Sequence, residues 1–271
     1  MQELWRILLT QPLLNGLIFL YKYTGNLGLA IISLTIGLRL LMTPLVLPSL
    51  KLNKKIQEIN PELTKLKEKF KDDKKGLVTA QAELYRTNGV NPASGCLPQV
   101  IQLFVLIALF SVFNTILHTK SEDLYAKLKP DLYAVNQLQP DFHLSTGFLY
   151  LDLTKPDTIK IPNLPFALPG IFLILSALTQ LLSSKMMSPV VASEKKVATA
   201  TSQTSDDTMV EVQQQMLYMF PAMTLIIGYQ FPSGLVMYWF IFSLASIVQQ
   251  YSTSGWGGAT VWLKKLNLLK S

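Results

Sequence analysis

Leu34-Thr35-Ile36-Gly37-Leu38-Arg39-Leu40-Leu41-Met42-Thr43 sets one arginine in the middle of an otherwise apolar run. The run extends from Leu27 to Leu50 with no other charge. A helix of roughly 20 residues, within a range near 17–25, crosses a bilayer core of about 30 Å. Arg39 would then lie about 18 Å along the helix from Leu27, at about 1.5 Å per residue. It cannot easily snorkel to either surface, and a central arginine costs on the order of 3 kcal/mol on insertion scales. Such a residue is expected to face a bundle interior, a wet cavity or a counter-ion.

Four more segments reach or approach spanning length: 97–118, 166–187, 214–231 and 234–251. Phe231-Pro232-Ser233-Gly234 joins the last two. Proline and glycine there predict a tight turn that cannot continue a helix, and two short spans in a hairpin suggest local thinning or tilting of the bilayer. The composition agrees: 49% hydrophobic and 15% charged, against roughly 25% charged in an average soluble domain. The expected fold class is an all-α integral membrane protein, with a five-helix transmembrane core, a cytoplasmic helical hairpin and an N-terminal interfacial helix.

Charge sets the orientation. The net charge of +7 is concentrated in segment 51–96, which holds Lys51, Lys54, Lys55, Lys65, Lys67, Lys69, Lys71, Lys74, Lys75 and Arg86. Basic residues beside apolar spans read as a cytoplasmic loop rather than a DNA-binding surface. The tail 252–271 carries Lys264, Lys265 and Lys270 without an acid, so it is also placed in the cytoplasm. Five spans then put the N-terminus outside, the long loop 119–165 outside, and 188–213, with its Ser/Thr-rich stretch, inside. Residues 1–26 hold an apolar run interrupted by Asn15 and Gly16. They are expected to form an amphipathic helix in the interface, with Trp5, Leu8, Leu9 and Phe19 dipping in. No cleavage site for a signal peptide follows that run. Within 51–96, Ile56, Ile59, Leu63, Leu66 and Phe70 recur at helical spacing, with Pro61 as a candidate kink. After the polar turn Lys71–Gly76, Leu77, Ala80 and Leu84 form a second apolar face. Two such helices predict an antiparallel hairpin.

Covalent chemistry is poorly supplied. The one cysteine, Cys96, allows neither an intramolecular disulfide nor a multi-cysteine metal site, and His118 and His143 lie outside the apolar centres. Without a histidine in any span, Ser233 has no general base beside it. No enzyme activity, cofactor or metal is expected. Met186, Met187, Met216, Met219 and Met223 cluster near the ends of two spans; they read as packing or as a surface adaptable to varied partners.

None of the five spans contains Asp or Glu. Water, neutral polar side chains or a group brought by another molecule must therefore meet Arg39. Thr35 and Thr43, four residues to either side, share its helix face. Gln99, Gln102 and Tyr238 extend a polar lining, with Ser111, Asn114, Ser176, Thr179 and Gln180 as further candidates. The expectation is a hydrated groove, positive at its centre, that receives a polar and often acidic tail while the attached apolar segment enters lipid.

Several motifs are familiar. Asn91-Pro92-Ala93-Ser94-Gly95-Cys96-Leu97-Pro98 resembles the motif that opens the second core span of the YidC/Oxa/Alb family. Phe231-Pro232-Ser233-Gly234-Leu235-Val236-Met237-Tyr238-Trp239, with Ile247-Val248-Gln249-Gln250-Tyr251, is similar to its last span. Leu149-Tyr150-Leu151-Asp152-Leu153-Thr154-Lys155-Pro156-Asp157 is similar to its outer segment, and Gly25 to Ala30, Arg39 and Thr43-Pro44-Leu45 match its first core span in order and spacing. The resemblance runs from about Gly25 to Tyr251. It implies a membrane protein insertase of the bacterial plasma membrane, with Arg39 as the functional arginine and 51–90 as a hairpin needed for activity. It also implies client membrane proteins, lipids, the Sec translocon and the ribosome as partners. The sequence departs from many members in showing no large extracytoplasmic domain before the core, no lipobox cysteine and no transit peptide. The competing readings are an accessory chaperone of the translocon and a small-solute transporter; the latter lacks an internal repeat and an acidic proton relay.

Overall fold

The computed structural model describes residues 2–70, 73–90, 97–119, 121–162, 164–187 and 205–267, so the opening motif 91–96 and most of 188–213 lie outside the described residues. The chain is overwhelmingly helical. Helix α1 (Gln2–Trp5) passes through a π-helical turn, Arg6–Thr10, into α2 (Gln11–Thr24). Then come α3 (Leu27–Lys69), α4 (Lys74–Thr87), α5 (Leu97–His118) and α6 (Ser121–Leu128). Two small antiparallel hairpins follow, β1 (Gly147–Phe148) with β2 (Leu151–Asp152), and β3 (Thr158–Ile159) with β4 (Leu168–Pro169). The chain closes with α7 (Ile171–Met187), α8 (Ser205–Gly228), α9 (Ser233–Ser254) and α10 (Thr260–Lys265).

Among the described residues four helices are long and apolar enough to cross a membrane: Glu3–Thr24, the Leu27–Leu66 part of α3, Val100–Leu117 in α5, and α9. Ile171–Met187 and Leu217–Gly228 are shorter apolar helices. The N-terminal helix is thus as long as a span despite Asn15 and Gly16. The third expected span starts later than the sequence suggests, because Leu168 and Pro169 are tied into the β3–β4 pair. The fourth starts earlier, at Ser205.

Helix α3 runs straight through the expected boundary at residue 50 and contains Pro44, Pro48 and Pro61. Each proline removes one backbone donor. In an apolar surrounding, leaving the helix would expose many more unsatisfied groups, so proline is tolerated there. Its buried positions Leu27, Ile31, Thr35, Arg39, Met42, Val46 and Leu50 fall three and four apart and make one inward face, while Ile36, Leu40, Leu41 and Leu45 are exposed.

The chain divides into two compact units. The first comprises Met1–Leu41, Gln99–Ala177 and Met223–Ser243. Here the segment after α6 binds α2 along its length. Asp131 takes hydrogen bonds from Arg6 and Gln11. The buried Asn15 donates to the Asp131 carbonyl and accepts from the Tyr133 amide, and Lys22 donates to the Gln137 carbonyl. Gly25, at φ 66°, closes α2 with a left-handed cap whose N–H reaches the Tyr21 carbonyl, a conformation that favours glycine.

The two hairpins hold the ends of α7 and α9. Ser233 and Gly234 donate their backbone N–H groups to the Lys155 and Leu153 carbonyls at 2.7 and 3.2 Å, and the Ser233 hydroxyl donates to the Asp152 carbonyl at 3.0 Å. Asp157, 1% exposed, accepts from the Leu173 N–H at 2.8 Å and from the Tyr150 hydroxyl at 2.9 Å. It caps α7 from a distance in sequence. A Cβ on Gly170 would lie 1.7 Å from its Oδ1, so only glycine fits there. Burial raises the Asp152 carboxyl. The Lys155 ammonium and the Thr154 and Thr146 donors outweigh that and hold it at about 2.

The second unit comprises Met42–Pro98, Leu178–Ala222 and Leu244–Ser271. Ile59, Leu63 and Val90 form a cluster with Leu52, Ile56, Leu84 and Tyr85, so the seam of α3 beyond residue 51 packs on residues from α4 and just after it. The Asp73 side chain accepts the Gly76 N–H and starts α4. Met186, Ala259 and Leu263 form a second cluster with Leu182, Ile247 and Trp256. Met186 is therefore a packing residue, while Met219 is exposed, as is Met223 of the first unit.

Candidate functional site

Arg39 is 9% exposed on the inward face of α3. Its guanidinium carbon lies 4.5 Å from the centroid of the Phe242 ring on α9. A cation over an aromatic face gains about 0.5–2 kcal/mol, more where water is excluded. One helical turn earlier on α9, Tyr238 is 2% exposed and its ring leans on Phe242 at 5.9 Å between centroids. From α5, Gln102 Nε2 donates to the Tyr238 hydroxyl at 2.5 Å. The remaining oxygen of Gln102, Oε1, is buried with no hydrogen-bond partner among the described residues. Three helices of the first unit thus converge on one cation, two aromatic rings and an amide with an unused acceptor.

Other residues of the expected lining fall elsewhere. Thr35, 2% exposed, donates its hydroxyl to the Ile31 carbonyl of its own helix at 2.7 Å. Ser176 donates to the Val236 carbonyl at 2.9 Å and ties α7 to α9. Ser111 is exposed. Asn114 lines a separate cavity of about 200 Å³ with Phe110, Phe113, Gln230, Phe231, Pro232 and Leu235. Gln99 sits in the first turn of α5, and its side chain is outside the described residues. In the second unit, Thr43 accepts a hydrogen bond from Gln249 Nε2 at 2.8 Å. Next to it on α9, Gln250 is 1% exposed, and neither polar atom of its side chain has a partner among the described residues. A buried amide in that state calls for water or an incoming polar group.

Phe242 is the residue that the sequence reading missed. A phenylalanine in an apolar helix carries no signal of its own; its place four residues after Tyr238 was the only clue. Among the described residues no three His, Cys, Asp or Glu side chains could hold a metal ion. The hydroxyl of Ser233 is spent on a backbone carbonyl. Within the first unit the described residues thus bring together a buried cation, two aromatic rings and one amide with an unused acceptor.

The sequence matches the family described as 60Kd inner membrane protein over residues 19–256. Several curated relatives carry the name membrane protein insertase YidC. One from Pelobacter propionicus is 32% identical over 248 residues, covering 91% of this chain and 38% of that protein. One from Fusobacterium nucleatum subsp. nucleatum is 33% identical over 230 residues, 85% of this chain and 87% of that protein. One from Rickettsia bellii is 29% identical over 256 residues, with 91% and 39% covered. The chain therefore spans well under half of the Pelobacter and Rickettsia proteins and most of the Fusobacterium one.

Proposed function

The chain belongs to the 60Kd inner membrane protein family, the YidC/Oxa/Alb family that its motifs resemble, and we propose from that premise that it inserts integral membrane proteins and helps them fold. It is a multi-pass protein of a bacterial inner membrane. The observation that carries the mechanism is Arg39, a buried cation in an apolar helix, seated on Phe242. A client's polar, often acidic, outer tail meets this charge on its way across, and the attached apolar segment partitions into lipid. The charge lowers the cost of carrying a hydrophilic tail through an apolar layer. Tyr238 and Gln102, joined by a hydrogen bond, line the path beside Arg39. The unused acceptor of Gln102 supports its hydration.

The N-terminus faces outward and the C-terminus the cytoplasm, as the basic segment 51–96 requires. Residues 1–26 lie in the outer interface; their row of polar bonds to the segment 131–147 supports a helix held at a surface. The 51–96 hairpin and the basic tail then face the compartment where the Sec translocon and the ribosome deliver clients. Purified protein in liposomes tests the activity itself, with a single-span client bearing a short acidic outer tail, scored by protease protection. Insertion above empty liposomes is expected. None, with client and reconstitution controls sound, would move the reading to an accessory chaperone or a transporter.

A further inference from the structure

Helix α7 is short for a span. It has 17 residues, about 26 Å at 1.5 Å per residue, against a hydrocarbon core of about 30 Å. Lys185 stands in its last turn, so the apolar part is shorter still. At its other end the chain does not turn polar. Ile159, Ile161, Leu164 and Phe166, in and between β3 and β4, are 41%, 45%, 40% and 60% exposed. Isolated exposed apolar residues need no explanation, but these four stand within one hairpin that abuts the end of α7. They precede Ile171 and Ile174, the exposed apolar stripe of that helix at 54% and 43%.

We propose that the β3–β4 hairpin is a membrane-seated element: its apolar residues enter the adjacent leaflet and complete the hydrophobic length that α7 lacks. The partner is lipid. Only Gly170 separates the hairpin from the first residue of that short apolar helix, and Lys160 within the hairpin is an exposed cation that can meet anionic headgroups. The backbone suits the depth. Thr158 pairs with Pro169 and Ile159 with Leu168, and the Leu164 N–H reaches the Ile161 carbonyl at 3.2 Å. A partly paired turn is tolerable at the headgroup boundary and would be costly in the hydrocarbon centre. The neighbouring stretch Asp152 to Lys155, with its 2.8 Å ion pair, has the opposite character and belongs in water. This inference rests on α7 crossing the bilayer, not on the insertase reading.

Nitroxide labels test it in the full chain, reconstituted into phosphatidylethanolamine–phosphatidylglycerol liposomes with Cys96→Ser as background. Leu164→Cys and Phe166→Cys are the probes, Ile174→Cys is the lipid reference, and the exposed loop position Gln139→Cys the aqueous one. Each label is read by its collisions with oxygen and with a water-soluble nickel chelate. Both probes are expected to favour oxygen, with ratios closer to Ile174→Cys than to Gln139→Cys. A nickel preference like that of Gln139→Cys would overturn the proposal. So would shielding from both reagents, which would mean a protein partner or a second copy covers the hairpin. All probe positions are exposed, and an unchanged unfolding temperature confirms that the labelled chains are intact. Client insertion in the same liposomes reads the insertase activity separately.

Discussion

Arg39 and Asp157 are both buried charges, and the first unit treats them in opposite ways. Asp157 receives the Leu173 N–H on one carboxylate oxygen and the Tyr150 hydroxyl on the other, with Gly170 kept bare to make room. Its donors come from fixed backbone and a rigid ring, so it is a fastener for the start of α7. Arg39 lies over the Phe242 ring; Tyr238, beside that ring, takes a hydrogen bond from Gln102, whose Oε1 has no partner among the described residues. An aromatic ring engages the face of a guanidinium, whereas a carboxylate is recognised in its plane. Burial alone therefore does not mark function; the kind of partner does.

Gly170→Ala pushes a methyl into the Asp157 carboxylate, and Asp157→Ala strands the α7 cap. Each is expected to cost on the order of 3 kcal/mol, seen as a lower unfolding temperature in detergent, with insertion per folded molecule unchanged. If insertion fell while stability held, Asp157 would belong with Arg39. Phe242→Leu removes the aromatic seat and should lose about 1 kcal/mol of transition-state stabilisation, roughly a fivefold slower insertion, with stability little altered. Phe242→Trp should restore the rate, and a rate indifferent to both changes would remove the ring from the site. The smallest effect concerns Asp152. Its carboxyl is held below the ordinary range, so its contribution is present above about pH 4 and lost as pH falls towards 2. Asp152→Asn should flatten that acid limb of the unfolding curve. The effect is modest because the pair with Lys155 is largely exposed.

Much of this was legible in the sequence because it is periodic. Spacing of three and four gave the seam Ile56–Ile59–Leu63, and the turn at Pro232 followed from residue type. Arg39 announced itself by its cost in an apolar helix. The start of α7 was not legible from hydropathy: Ala167 and Leu168 are as apolar as any span residue, and pairing with Ile159 across the β3–β4 hairpin removes Leu168 from the helix. Nor could the sequence show that two separately familiar motifs, Leu149–Asp157 and Phe231–Trp239, are hydrogen-bonded to each other through Ser233 and Gly234. That contact joins positions some eighty residues apart, and local propensity carries no trace of it. Thr35 and Ser176 read as groove lining by composition, yet their hydroxyls donate to backbone carbonyls.

The most direct test of the central claim is charge discrimination at Arg39. Two single-span clients that differ only in having an acidic or a neutral outer tail are inserted by wild type and by Arg39→Gln in the same liposomes. Arg39→Gln is expected to lose about tenfold on the acidic tail and much less on the neutral one. Equal insertion of both clients by both proteins would contradict the claim.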